Sequence, residues 1–304
     1  MLSLVKRPPG LSLRATSLPF AALAALSTTV ALASLGCKDQ AKESATRATA
    51  NAAWLANLVA KDVGEVERGL PEGAVKLAPL LAGGADPKQD IAGVRKALMR
   101  VRRDVIDLNV AKSTFFALTD ADGIGIRNDL EEDVMAGQNL AALFPAIAKA
   151  KAGYASGTGA FPPPPGAPPN PVADKDWIAG APVKRPDGST GALLVTGWSY
   201  RYFARHLQEA LKTFLVDEAK AAGEVSKFPV YYTAVFDKAG VYAAPLTPDV
   251  DTKALATQDL AAKSANGPCT GTLTIDDRAF GYAALLTPKL GPDTGVVVLR
   301  SEDM

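Results

Sequence analysis

"FFALTDADGIGIRND", Phe115 to Asp129, is the stretch on which the fold turns. β-formers run from Phe115 to Thr119, aspartates and a glycine interrupt them, and Ile124 and Ile126 resume the apolar pattern. Two readings compete, a calcium loop and a tight corner between two strands. A calcium loop needs oxygen ligands at its first, third, fifth and twelfth positions and a glycine at its sixth. With Gly123 as that glycine, Asp120 and Asp122 take the third and fifth places. The first then falls on Leu118, which has no side-chain oxygen, and the twelfth on Asp129, shorter than the usual glutamate. A corner asks only for an aspartate that bonds its own backbone and a glycine free to take positive φ. The stretch reads as strand, corner, strand.

The pattern returns downstream. "YYTAVFDKAGVYAAP" (Tyr231–Pro245) places Asp237 and Gly240 where the first copy has Asp120 and Gly123, with Val241 in the place of Ile124 and no middle aspartate. "APVKRPDGSTGALLVTGWSY" (Ala181–Tyr200) is a hairpin turning at "PDGS". "GTLTIDDRAFGYAALLTP" (Gly271–Pro288) parallels it, Gly281 matching Gly191, with "DDR" (Asp276–Arg278) as a solvated turn and "GVVVLRS" closing the sheet. Between these lie amphipathic helices. Ile91, Val94, Leu98, Val101, Val105 and Leu108 recur at spacings of three and four. A second clear helix is Arg201–Gly223, "LFPAIAKAKAGYA" is also helical, and Glu72–Leu81 forms a separate segment that "AGGADP" ends. "FPPPPGAPPNP" (Phe161–Pro171) is a stiff proline-rich surface loop. The expected fold is α+β, a long N-terminal helical leader followed by two repeated modules with antiparallel sheets.

Composition bounds the function. The 304 residues are 48% hydrophobic and 21% charged, as in a globular protein, with a formal charge of +1. That balance gives no electrostatic case for nucleic acid, and the basic run Arg95–Asp104 reads as the solvated face of a helix. The N-terminus is basic at Lys6, Arg7 and Arg14, then uncharged from Ala15 to Gly36 up to Cys37. This is the pattern of an export signal. Leu35-Gly36-Cys37 resembles the bacterial lipobox, which implies cleavage before Cys37 and lipidation of that cysteine, although Ser34 stands where leucine is usual. An uncleaved anchor and a plain cleaved signal remain open, and each puts the folded part on the envelope side, periplasmic or outer-membrane.

With the corners read as turns, "FFALTDADGIGIRNDLEEDVMAGQNL" (Phe115–Leu140) and "DWIAGAPVKRPDGSTGALLVTGWSY" (Asp176–Tyr200) resemble the hairpins of the extracytoplasmic Cache sensor family, whose modules are PAS-like. The resemblance spans about Asp90 to Arg300 and implies a double-Cache arrangement. Expected boundaries are a signal peptide at 1–36, a tether and N-terminal helices at 37–87, a long helix with the first PAS-like module at 88–223, and a smaller second module at 224–304. The resemblance also implies a small-molecule pocket, usually in the first module. Tyr154, Phe161 and Trp177 are the candidate aromatic walls, Arg127 the partner for a carboxylate and Asp129 the partner for an amine. Each has a plainer use in the core or on the surface. The Tyr, Arg, Trp, Tyr cluster of the amino-acid-binding subfamily is not found at matching spacing, so an organic acid is the ligand considered.

Catalytic and cofactor chemistry finds no footing. His206, the single histidine, lies in a helix without a nucleophile beside it. "GIGIRN" lacks the lysine of a phosphate loop, and Cys269 has nothing near it to make a thiolate. No cofactor or metal is expected. No second membrane helix or output domain is read after Arg300, so any signal would pass to a separate envelope partner. The reading is a non-enzymatic, lipid-anchored sensor or ligand-binding protein. Its rival is an interaction lipoprotein whose modules serve only as packing units.

Overall fold

The computed structural model describes residues 23–163, 173–223 and 228–302, with side chains from residue 40 onward. Residues 1–22 of the signal segment and most of the proline-rich loop fall outside the described residues, and for 23–36 and the lipidation site Cys37 only the backbone is described. The compact unit Gln40–Met304 carries both sheets. Among the described residues no helix is long and apolar enough to cross a membrane.

Helix α1 (Leu23–Leu77) is the spine. Ala48, Ala52, Leu55, Val59, Val63, Val66, Leu70, Ala74 and Leu77 recur every three or four residues, and all are buried. The sequence suggested a fresh helix from Glu72, but α1 runs unbroken through Pro71. Its apolar stripe continues across the proline, so packing on one face outweighs the lost backbone bond. Two 3-10 segments follow, then α2 (Ile91–Asp104) and α3 (Ile106–Val110). The expected single helix breaks at Val105, which turns extended (ψ 113°) while staying fully buried.

The first sheet comprises β1 (Phe115–Asp120), β2 (Gly125–Asn128), β3 (Ala155–Gly159), β4 (Asp176–Lys184) and β5 (Thr190–Ser199), in the order β2-β1-β5-β4-β3. Two short helices, α4 (Leu140–Leu143) and α5 (Pro145–Lys149), cross its outer face. Helix α6 (Tyr200–Ala222) then leads to the second sheet. That sheet has β6 (Val230–Asp237), β7 (Gly240–Ala243), β8 (Cys269–Ile275), β9 (Arg278–Leu286) and β10 (Gly295–Ser301), in the order β7-β6-β10-β9-β8. Helices α7 (Asp249–Ala256) and α8 (Leu260–Lys263) lie between β7 and β8 in the chain. The strand pairs are antiparallel and the two orders are equivalent, β1 to β6 and β5 to β10. The α+β architecture of two repeated modules behind a long helix is therefore present.

The corners have the expected chemistry. Asp120 Oδ1 accepts from the Asp122 and Ile124 amides at 3.0 and 2.9 Å, and Gly123 has φ +82°. Asp237 Oδ1 accepts from the Ala239 and Gly240 amides at 2.8 and 3.2 Å. At the β8–β9 turn Asp276 and Asp277 both take positive φ, 48° and 62°, the geometry a two-residue hairpin of matching twist demands.

Both sheets lay one face on the helices. Phe116, Leu118, Trp177, Leu194 and Trp198 of the first sheet share a core with α1, α2 and α6, and Val235, Tyr242, Val296 and Val298 of the second join it. Helix α6 runs back along α1. Trp54 stacks on Phe214 with ring centroids 4.6 Å apart, and His206 Nε2 sits 2.9 Å from Asp62 Oδ2. Near the middle of α1, Arg300 Nη1 donates to Asn51 Oδ1 (2.8 Å) and the Glu302 amide donates to Ser44 Oγ (3.2 Å).

Candidate functional site

The structure does not gather the five candidate residues around one cavity. Trp177 is buried on the helix side, stacked on Trp198 at 4.3 Å, which in turn stacks on Phe203. Tyr154 packs against the same core. Phe161 lies on the opposite, outer face, edge-on to Phe115 and Phe144. Arg127 ties down the loop after β2, donating to the carbonyls of Leu130 (2.8 Å) and Glu131 (3.2 Å) and pairing with Asp133 at 3.2 Å. Asp129 joins β1 to α2, accepting from the Phe116 amide at 2.8 Å and from Arg102 at 2.7 Å. These charges are used internally.

The outer face of the first sheet is packed shut. Phe115, Ala117, Ile178, Leu193 and Val195 meet Leu140, Phe144, Ile147 and Ala150. Glycines let the covering helices press close: a Cβ at Gly180 would stand 2.9 Å from the Ala150 Cβ, and one at Gly159 only 2.4 Å from the Leu143 carbonyl. The covering segment is also zipped to the sheet edge. Gly125 donates to the Gln138 carbonyl (2.9 Å) and accepts from the Gly137 amide (2.8 Å), and Leu140 donates to the Gly123 carbonyl (2.9 Å).

The second module differs at the same place. Between the β6–β7 hairpin and helices α7 and α8 lies a cavity of ≈ 460 Å³, a size suited to a small solute. Phe236, Val241, Ala243, Leu255 and Leu260 supply apolar wall. Thr247 also lines it, its hydroxyl buried without a hydrogen-bond partner. Thr257 to Leu260 make backbone bonds only within α7, α8 and their link among the described residues, and none to β7. Register explains the contrast. Gly125 pairs with Thr119, one residue before the corner aspartate, and Val241 pairs with Phe236 at the same step. A Cβ at Gly125 would stand 2.1 Å from the Met135 carbonyl oxygen, so the close approach that seals the first edge is barred where valine stands.

The groove is wired to the first module. Asp237, which closes the β6–β7 corner, pairs with Lys175, and the Lys175 carbonyl accepts from the Tyr200 amide at 2.7 Å. Tyr242 O–H points to Asp237 Oδ1 at 3.4 Å. Burial and the Asp237 carboxylate push this phenol up, which keeps it a donor at neutral pH. Beside this junction Asp176 accepts from the Phe161 amide at 3.2 Å, and burial raises its pKa to about 6. A carboxyl raised in the folded state costs stability once it ionises, so the penalty grows from about pH 4 and is full above pH 6. Asp176→Asn should therefore stabilise the protein by about 1–2 kcal/mol at pH 8, discounting for partial exposure, and leave it unchanged at pH 3.5. Equilibrium unfolding at the two pH values checks this; an equal gain at both would refute the titration argument.

Among the described residues no group of three His, Cys, Asp or Glu side chains is placed to hold a metal ion. His206 is an interhelical contact and Cys269 is free and buried. The groove residues escaped the sequence reading, yet a signal existed. "GQNLAAL" (Gly137–Leu143) and "TQDLAAK" (Thr257–Lys263) mark α4 and α8 as equivalent lids.

No protein-family model matches the sequence, and no curated protein matches it. Solved structures do. A domain of a sensory box/GGDEF family protein from Vibrio parahaemolyticus matches with a TM-score of 0.53 at 10% identity, over 87% of this chain and 98% of that one. The ligand-binding domain of the Campylobacter jejuni chemoreceptor Tlp3, in complex with 4-methylisoleucine, matches with a TM-score of 0.50 at 10% identity, over 87% and 93%. An extracellular ligand binding receptor from Desulfohalobium retbaense matches at 11% identity with a TM-score of 0.46, over 83% of this chain but 39% of that one. The chain shares its fold, two modules with antiparallel five-stranded sheets behind a long helix, with these sensory and ligand-binding domains.

Proposed function

We propose that this chain is a non-enzymatic, envelope-side binding protein, held to a membrane by lipid at Cys37, which takes a small solute into the second-module groove and reports occupancy to a separate partner. One contrast carries the reading: of two equivalent lids, the first is zipped to its sheet edge and the second stands off it, leaving a cavity. In the Campylobacter receptor domain the same fold holds 4-methylisoleucine, which supports a small-molecule role here. The first module then serves as a rigid companion, joined to the groove corner through Lys175 and Asp237.

A thermal-shift screen of small polar and amphipathic solutes tests this. A ligand at a hundred times its dissociation constant adds about 2.7 kcal/mol to stability. Ala256 lines the groove and is exposed, so Ala256→Trp should abolish any shift at little cost to the fold. A shift that survives this substitution places the site elsewhere, and silence across the library favours the interaction protein. Loss of metabolic lipid labelling in Cys37→Ala checks the anchor.

A further inference from the structure

The hydrogen-bond parity of the second sheet identifies which backbone groups face the groove. Ala244 donates to the Thr233 carbonyl at 3.3 Å, so Thr233–Ala244, Val235–Tyr242 and Asp237–Gly240 are the bonded pairs of the β6–β7 ladder. The intervening pair is Phe236–Val241, and the Val241 N–H and C=O turn away from β6. Val241 is only 4% exposed, yet nothing among the described residues bonds these two groups. Buried backbone polar groups are almost always paired. The first module shows what pairs with this edge. At the equivalent register Gly125 donates to the Gln138 carbonyl and accepts from the Gly137 amide, so the partner there is the edge of a two-residue stretch of backbone that presents the N–H of one residue and the C=O of the next on the same side. The Thr247 hydroxyl is a further unpartnered buried group on the same cavity, which the charged residues Asp237, Lys238, Lys253 and Asp259 also line beside its apolar wall.

Building on the groove assignment above, we propose that its ligand carries an amide-type edge, an N–H donor beside a C=O acceptor as in a short peptide, amide or ureide, joined to an apolar body. The amide edge pairs with Val241 and the body rests on Phe236, Leu255 and Leu260. A bare carboxylate offers no donor and brings a negative charge to the Val241 carbonyl, and a bare amine offers no acceptor.

Four probes of similar bulk test this on the mature protein: N-acetyl-leucine N-methylamide, its diester analogue with both N–H groups replaced by oxygen, leucine, and 4-methylpentanoate. The diamide should bind and slow exchange of the Val241 amide hydrogen. The diester should bind about tenfold more weakly, since it leaves a buried carbonyl unpaired, and the zwitterion and carboxylate should be weaker still. Equal binding of diamide and diester, preference for leucine or the carboxylate, or no binding by any of the four would overturn the amide assignment while leaving the groove as a site for other solutes. Diamide binding that leaves Val241 exchange unchanged and persists in Ala256→Trp would overturn the groove assignment as well.

Discussion

Gly281→Val is expected to pry the N-terminal half of α1 off the second sheet and to lower stability by about 3 kcal/mol, near the upper end for overpacking. A Cβ at this position would lie 2.0 Å from the Ala45 amide nitrogen and 2.4 Å from the Ser44 carbonyl carbon. These are helix backbone atoms, which cannot swing aside as a side-chain tip can. The contacts beside them go too, among them Arg300 to Asn51 and the Glu302 amide to Ser44. Against a typical domain stability of about 5–15 kcal/mol, this is a large fraction. Denaturant unfolding of the variant checks the figure. Gly153→Ala is the control, because a Cβ there meets nothing within 4 Å and the position has no positive φ, so its effect should stay within about 0.5 kcal/mol. A Gly281→Val loss no greater than the control's would mean that α1 can shift along the sheet at little cost.

Gly125→Val tests why one module is sealed and the other open. The added Cβ would stand 2.1 Å from the Met135 carbonyl oxygen and 2.9 Å from its carbon, so the segment that follows must lift. Three edge bonds involving Gly137, Gln138 and Leu140 would be lost, at about 1 kcal/mol each. Leu140 and Phe144, now fully buried, would loosen with them. The expected result is a loss of about 3 kcal/mol. Amide exchange at position 125, Gly137 and Leu140 should accelerate by roughly a hundredfold, since each 1.4 kcal/mol of local stability is a factor of ten. Protection unchanged at these amides would show that something other than the register glycine holds the first lid down.

Much of the architecture was legible because it rests on local chemistry. The aspartate–glycine corners, the "PDGS" and "DDR" turns, and the periodic apolar residues of α2 and α6 all announce themselves within a few positions. What was not legible depends on pairing. Strand β3 is "ASGTG", with no apolar alternation to reveal it, and its small residues make sense only once Ala146 of α5 is seen lying on Gly157, and Leu143 of α4 with Phe144 on Gly159. The continuity of α1 through Pro71 is decided by a stripe that both sheets cover. Trp177 reads equally well as a pocket wall or as core until the pleat assigns it to the helix side. The groove is hidden deepest. It follows from valine standing where the other copy has glycine, and that equivalence exists only after a one-residue bulge between Leu118 and Thr119 has been counted in the register.

Helix α1 touches the second sheet near Ser44 and the first through Leu77. At about 1.5 Å per residue those points are roughly 50 Å apart on a single stiff arm. A tilt of about 2° at one end then sweeps the other through roughly 1.7 Å by simple trigonometry on that length. A rearrangement of sub-ångström size where the arm rests on one sheet is thereby geared up into a displacement large enough to break a hydrogen bond at the other.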